Sequence, residues 1–212
     1  MGWDSARPII LLMPVSCILL AAGASRRLGQ PKQLVRVGGE TLLERSIRLA
    51  LEAGCERVLV VLGARAREMA DTLDGGIASG AGVTLVVNEE WEQGIASSIR
   101  AGVLRLEQDQ DALLMACDQA TLAAEHLVLL LRAFAEHDGQ RIAASRYSET
   151  LGIPAVFPRA RFGDLLALDG DEGARRLLRR ERQVVAVRCD EASLDVDTPE
   201  DLARLTERER QP

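Results

Sequence analysis

The feature that most constrains this chain is an abrupt change of character between Cys17 and Lys32. Cys17 to Leu20 is a short apolar run of the kind that forms a strand buried on both faces. It gives way to Ala21, Ala22, Gly23, Ala24 and Ser25, which carry almost no side-chain bulk, then to Arg26 and Arg27, and after Pro31 to Lys32. A strand that runs into such a loop lets a ligand approach the backbone, whose N–H groups can then point at phosphate oxygens. Three cations beside that backbone, in a chain of formal net charge −6, point to a polyanionic guest. Two generic phosphate-loop patterns do not fit. The P-loop requires a Gly-Lys-Ser/Thr end that Gly23 to Gly29 lacks, and the dinucleotide fingerprint requires glycine where Ser25 stands.

The alternation begun there continues along the chain. All-apolar runs at Arg57 to Leu62, Val83 to Val87 and Asp111 to Cys117 predict strands. Between them, helical spacing predicts helices over Thr41 to Ala53, over Arg65 to Leu73, and from the Ser97-Ser98 region to about Leu106. Thr41 and Glu44 have the spacing of a capping box, and Gly54 supplies a stop. Gln33 to Val37 reads as a brief extended piece turned by Gly38-Gly39. Further on come a helix from Ala123 to about His137 and strands at Arg141 to Ser145, Leu151 to Pro158 and Val184 to Val187. Short helices follow at Gly163 to Leu168 and Gly173 to Arg180, and Pro199 opens a last helix. The pattern predicts an α/β fold, a three-layer, doubly wound, mostly parallel, Rossmann-like sheet that is continuous.

Composition narrows the partners. With 3% aromatic residues the chain lacks the stacking platforms that single-stranded nucleic acid uses, and its acidic balance argues against duplex binding. No nucleic acid is expected. Four cysteines, scattered singly, make neither a disulfide framework nor a zinc site and fit a reducing cytoplasm. The apolar stretch Pro8 to Val15 is broken by Pro8 and Pro14, so no membrane association is expected. Residues 1–12 read as a disordered leader with Met13 a candidate start, residues 13–206 as one domain, and 207–212 as a tail.

Asp118 ends the apolar strand at the edge where an open α/β sheet binds ligands. It either caps the following helix, for which Thr121 is better placed, or holds a magnesium ion, the reading favoured here. A second acidic group, Asp195-Val196-Asp197-Thr198-Pro199, either caps the last helix or supplies a further carboxylate to the same ion. Asn88 reads as a nucleotide or acceptor contact in preference to a turn former. Ser97 and Ser98 suit either a phosphate or ordinary capping. Cys117 points to the core, and His126 and His137 are given no role.

Leu20-Ala21-Ala22-Gly23, Arg27-Leu28-Gly29 and Pro31-Lys32 together resemble the opening motif of the MobA-like nucleotidyltransferases, whose sheet is of the GT-A-like kind. That resemblance implies that Leu20, Ala21, Ala22, Gly23 and Ser25 line the nucleotide, that Arg27 and Lys32 bind its phosphates, and that Asp118 and Asp197 hold Mg2+. Ala22 in place of glycine, Asn88 ahead of Trp91-Glu92-Gln93-Gly94, Gly152 to Phe157 and Gly170 to Arg175 are similar to the molybdenum cofactor cytidylyltransferase branch. The branch implies transfer of CMP from CTP to molybdopterin, with a xanthine dehydrogenase-type molybdoenzyme as recipient of the product and Arg175 and Arg176 near the pterin phosphate or merely on a solvated helix face. The alternatives are a guanylyltransferase using GTP, another small-molecule cytidylyltransferase such as the methylerythritol phosphate enzyme, and a non-catalytic molybdopterin chaperone. Sugar nucleotidyltransferases fit less well, since they need glycine at Ala22 and Gly-Thr at Ser25-Arg26.

Overall fold

The computed structural model describes residues 14–73, 82–107, 110–189 and 196–209. The expected leader, Met13 and Asp195 lie outside them. The strands are β1 (Val15–Ala21), β2 (Arg36–Val37), β3 (Glu40–Thr41), β4 (Arg57–Leu62), β5 (Val83–Val87), β6 (Asp111–Ala116), β7 (Ala143–Tyr147), β8 (Thr150–Phe157) and β9 (Val185–Arg188). The helices are α1 (Leu42–Glu52), α2 (Ala66–Leu73), α3 (Ile95–Val103), α4 (Ala124–Ala135), α5 (Phe162–Leu166), α6 (Ala174–Arg180) and α7 (Pro199–Glu209). Seven strands form one sheet in the order β5-β4-β1-β6-β8-β7-β9. The first four run parallel, β8 lies antiparallel to both β6 and β7, and β9 is parallel to β7.

The period of two along the central strands sorts their side chains into the two outer layers. Cys17 and Leu19 of β1, Val58 and Val60 of β4, and Leu113 and Met115 of β6 pack with α1, α2 and α4. Their neighbours Ile18, Leu20, Leu59, Val61, Ala112 and Leu114 pack with α3, α5 and α6. β1 is buried along its whole length. Truncating a leucine there costs about 2–5 kcal/mol. On the second face α3 rests directly on β1, for a Cβ at Gly102 would fall 2.4 Å from Ile18 Cγ2. Among the described residues no helix is long and apolar enough to cross a membrane.

Several elements differ from expectation for identifiable reasons. Lys32–Leu34 is a 3-10 turn, and β2 and β3 form a separate two-stranded hairpin. The sheet is therefore not one continuous array. β8 is eight residues long although it contains Gly152 and Pro154, because pairing with β7 skips from Ala144–Ala155 to Ser145–Gly152. The Ser145 hydroxyl donates to the Pro154 carbonyl within that irregularity, 2.7 Å. Thr121 does not cap α4, whose N-cap is Ala123 without a side-chain bond.

A third, smaller core positions the site. Val35 and Val37 of the hairpin arm, Leu28, Ala120, Val196 and Leu205 cluster together and dock α7 beside the loop after β1. The Val196 N–H donates to the Asp118 carbonyl, 3.1 Å, which sets Asp197 next to Asp118 across a long stretch of chain.

Candidate functional site

The loop after β1 is held open from beneath. Gln33, 1% exposed, donates from Nε2 to the carbonyls of Ala21 and Gly23, each 2.8 Å away. Ser25, with φ +51°, accepts the Lys32 N–H at its hydroxyl, 3.0 Å, and donates to Gln33 Oε1. With those carbonyls occupied below, the loop keeps its small-residue face free. A cavity of about 470 Å3 opens over it, lined by Leu20 to Arg26, Lys32, Gln33, Trp91, Glu92 and Asp118 among others.

Two carboxylates meet one ammonium at this mouth. Lys32 Nζ donates to Asp118 Oδ2 and also to Asp197 Oδ1, 3.1 Å. Arg27 Nη2 donates to the other oxygen of Asp197, 2.5 Å. Burial works to lower the Lys32 pKa. The charge and hydrogen bond of Asp118, with Asp197 adding to them, outweigh it and hold the ammonium above its ordinary value. Lys32 is therefore fully protonated near neutrality. Asp197 is not spent on capping α7: Thr198 and Asp201 form that reciprocal cap, Thr198 Oγ1 accepting the Asp201 N–H and the Asp201 carboxylate accepting from Thr198. Asp118 and Asp197 are thus two carboxylates that share the Lys32 ammonium, with Arg27 on the second, and they are the side chains here that could hold a divalent cation. Among the described residues no third carboxylate, histidine or cysteine joins them. Magnesium is commonly held by one or two carboxylates with the rest of its shell from waters and substrate phosphates.

Not every expected site residue reaches the cavity. Leu20, Ala21, Ala22, Gly23, Ser25, Lys32 and Asp118 line it. Arg27 does not; it lies on Asp197, while Arg26 lines the cavity instead. Asn88 is buried, donates to the hydroxyls of Ser97 and Ser98 at 2.9 and 3.0 Å, and accepts the Glu90 N–H. Its side chain braces the turn into α3 and is not among the cavity's walls. Ser97 is committed in the same way, donating to the Gly94 carbonyl. Gln33 was not singled out from the sequence, although its place directly after Pro31-Lys32 was the available signal. Cys117 is buried, and that burial, with the adjacent Asp118 charge, pushes its thiol up to about 12, so it is no nucleophile.

A second cavity of about 530 Å3 adjoins the first, with Leu20, Ile99, Leu114 and Ile153 as an apolar floor and Gln119, Tyr147, Thr150 and Arg175 as polar walls. Leu20, Ile95, Ala116, Asp118 and Asp171 line both. A polyanion gripped by the loop and a second substrate in the adjoining cavity would meet at Asp118.

Residues 17–187 match the MobA-like NTP transferase domain. The chain is 34% identical over 207 residues to nicotine blue oxidoreductase of Paenarthrobacter nicotinovorans, covering 90% of this chain and 96% of that protein. It is 27% identical to the molybdenum cofactor cytidylyltransferase of Escherichia coli, covering 92% and 96%. Rv0371c of Mycobacterium tuberculosis has a crystal structure that superposes with a TM-score of 0.77 at 31% identity, covering 92% of this chain and 98% of that one. A manganese complex of the same protein superposes with a TM-score of 0.72 at 28% identity, with the same coverage. With most of its length matching that domain, the chain belongs to the MobA-like NTP transferase family.

Proposed function

We propose that this protein is a divalent-metal-dependent nucleotidyltransferase that transfers CMP from CTP to the terminal phosphate of molybdopterin, releasing pyrophosphate. The observation that carries the reading is the meeting of Asp118 and Asp197 at Lys32 Nζ beside an open phosphate loop. An oxygen of the acceptor phosphate attacks the α-phosphorus in line, the bond from that phosphorus to the bridging oxygen breaks, and pyrophosphate leaves. The acceptor is already an anion near neutrality, so no protein base is needed. Backbone N–H groups around Gly23 and the Lys32 ammonium position the triphosphate, which is where catalysis of this kind gains most of its rate. Mg2+ held by Asp118 and Asp197 would neutralise donor and acceptor phosphates as they approach. The manganese complex of a relative supports use of a divalent ion.

Ala22, where the guanylyltransferase pattern has glycine, supports cytosine over guanine. Its methyl is buried beside the end of β4, where a Cβ on Gly63 would fall 2.8 Å from it. The recipient of the product would be a xanthine dehydrogenase-type molybdoenzyme, and the reaction belongs in the cytoplasm.

The similarity to nicotine blue oxidoreductase favours one other reading, a redox enzyme. Parallel assays separate them: pyrophosphate release from CTP or GTP with Mg2+ and molybdopterin, and NADPH oxidation with a quinonoid dye. Pyrophosphate release with CTP preferred is the expected result. Turnover only in the redox assay, or binding of molybdopterin without release, defeats the transferase reading.

A further inference from the structure

We infer that Asp171 reads the sugar of the nucleotide, its carboxylate accepting hydrogen bonds from the ribose 2′- and 3′-hydroxyls. The inference rests on the proposed nucleotide site and names a residue of it that neither the opening motif nor the metal pair includes.

The Gly170–Asp171 turn is fixed in place. Gly94, at φ +101°, lets it come so close that a Cβ there would fall 2.3 Å from the Gly170 carbonyl oxygen and 2.7 Å from Asp171 Oδ1. The Ala96 N–H donates to that same carbonyl, 3.1 Å, and Arg100 Nη1 donates to the Leu168 carbonyl at 2.6 Å. Asp171 is thus set against the turn into α3, yet among the described residues no hydrogen bond or ion pair reaches its carboxylate, and α3 has no side-chain cap.

Position and charge then select the guest group. Asp171 and Asp118 are the two charged residues common to both cavities. Asp118 stands with Asp197 at the metal place, but Asp171 belongs to no three-ligand cluster among the described residues. An anionic carboxylate repels the phosphates that Lys32 and the loop attract, so the group opposite it must donate hydrogen bonds. With the triphosphate on the loop and the α-phosphorus by Asp118, the unit covalently next to that phosphorus at the shared wall is the ribose, whose vicinal hydroxyls are two adjacent donors. Acidic side chains read ribose hydroxyls in other nucleotide folds for the same reason.

The test is titration calorimetry with Mg2+ and four ligands, CTP and GTP and their 2′-deoxy forms, on the wild type and on Asp171→Ala. A hydrogen bond to a charged acceptor gives the wild type about a tenfold or larger preference for ribose over deoxyribose, and Asp171→Ala brings the pair within about twofold by weakening the ribonucleotide alone. An unchanged preference in the variant overturns the assignment. So does an equal loss for both sugars with a lowered Tm, which would make Asp171 a stabiliser of the α3 end, or an unchanged preference with a raised KM for acceptor. If the wild type binds none of the four, the nucleotide site itself fails, a result distinct from every other.

Discussion

The two flanks of the sheet present different groups. On the parallel flank, β1, β5 and β6 end in groups committed to one another: Gln33 to the loop carbonyls, Asn88 to Ser97 and Ser98, Lys32 to Asp118 and Asp197. On the flank where β8 and β7 turn antiparallel, Gln119 donates to the Tyr147 hydroxyl and the Ile153 carbonyl, and Thr150 to the Tyr147 carbonyl, so that Arg175 is left as an exposed cation over the apolar floor of the second cavity. The comparison teaches that both flanks tie down their polar groups and that they differ in what is left over: a charged cluster at the loop, and an apolar floor with one exposed cation across the sheet. A pre-organised charged cluster would suit a triphosphate that is the same in every catalytic cycle, and an apolar floor with an exposed cation can change with the second substrate without disturbing the cluster.

That contrast ranks the expected effects of substitution. The largest belongs to Asp118→Asn, which keeps the shape and removes the charge: turnover should fall about a thousandfold or more while Tm moves little. A comparable fall in Tm would make Asp118 structural. Gln33→Ala comes next, because it leaves the buried Ala21 carbonyl and the partly buried Gly23 carbonyl without their donor. Unfolding in denaturant should show about 1–3 kcal/mol lost, and CTP affinity should drop about tenfold. A stability loss with affinity intact would mean the loop does not need its prop.

Across the sheet, Arg175→Ala should raise the KM for molybdopterin about three- to tenfold and leave the Kd for CTP unchanged, as expected of an exposed cation facing a phosphate. A change in CTP binding instead would erase the distinction between the flanks. The smallest effect concerns His126, which is buried at Ser145 Oγ, 2.8 Å away. Because Ser145 spends its proton on Pro154, His126 must donate from Nε2, and burial holds its pKa below the usual value. A depressed folded pKa means that this stability is present above the unfolded pKa of about 6.5 and is lost as pH falls below it. Denaturation across pH 5 to 7.5 should therefore show a decline on acidification that His126→Gln flattens.

Much of the parallel flank was legible because its strands carry their own evidence. Arg57–Leu62 and Val83–Val87 are apolar runs with nothing else to become, and Thr41 with Glu44 marks its helix start without reference to the rest of the chain. On the antiparallel flank the strands were legible too, Leu151 to Pro158 standing for Thr150–Phe157, but their direction was not, since the reversal of β8 between β6 and β7 and the skip in pairing at Ala144/Ser145 depend on partners far along the chain. At the site, local pattern and the family resemblance singled out the loop, Lys32, Asp118 and Asp197, which the fold does bring together, but not who pairs with whom. Arg27 looked like a phosphate ligand because its motif position says so, and its partner Asp197 becomes visible only after the small third core docks α7. The bonds of Asn88 were hidden for a related reason: whether an amide turns to a ligand or to Ser97 and Ser98 depends on packing that spacing does not encode.

The central claim is that Asp118 and Asp197 share one divalent ion beneath a nucleoside triphosphate, and Mn2+ binding followed by electron paramagnetic resonance with a non-hydrolysable CTP analogue tests it without turnover. One Mn2+ per chain, tight only with nucleotide present and lost equally in Asp118→Asn and Asp197→Asn, is the expected result. Mn2+ bound as well by Asp197→Asn as by the wild type would contradict it.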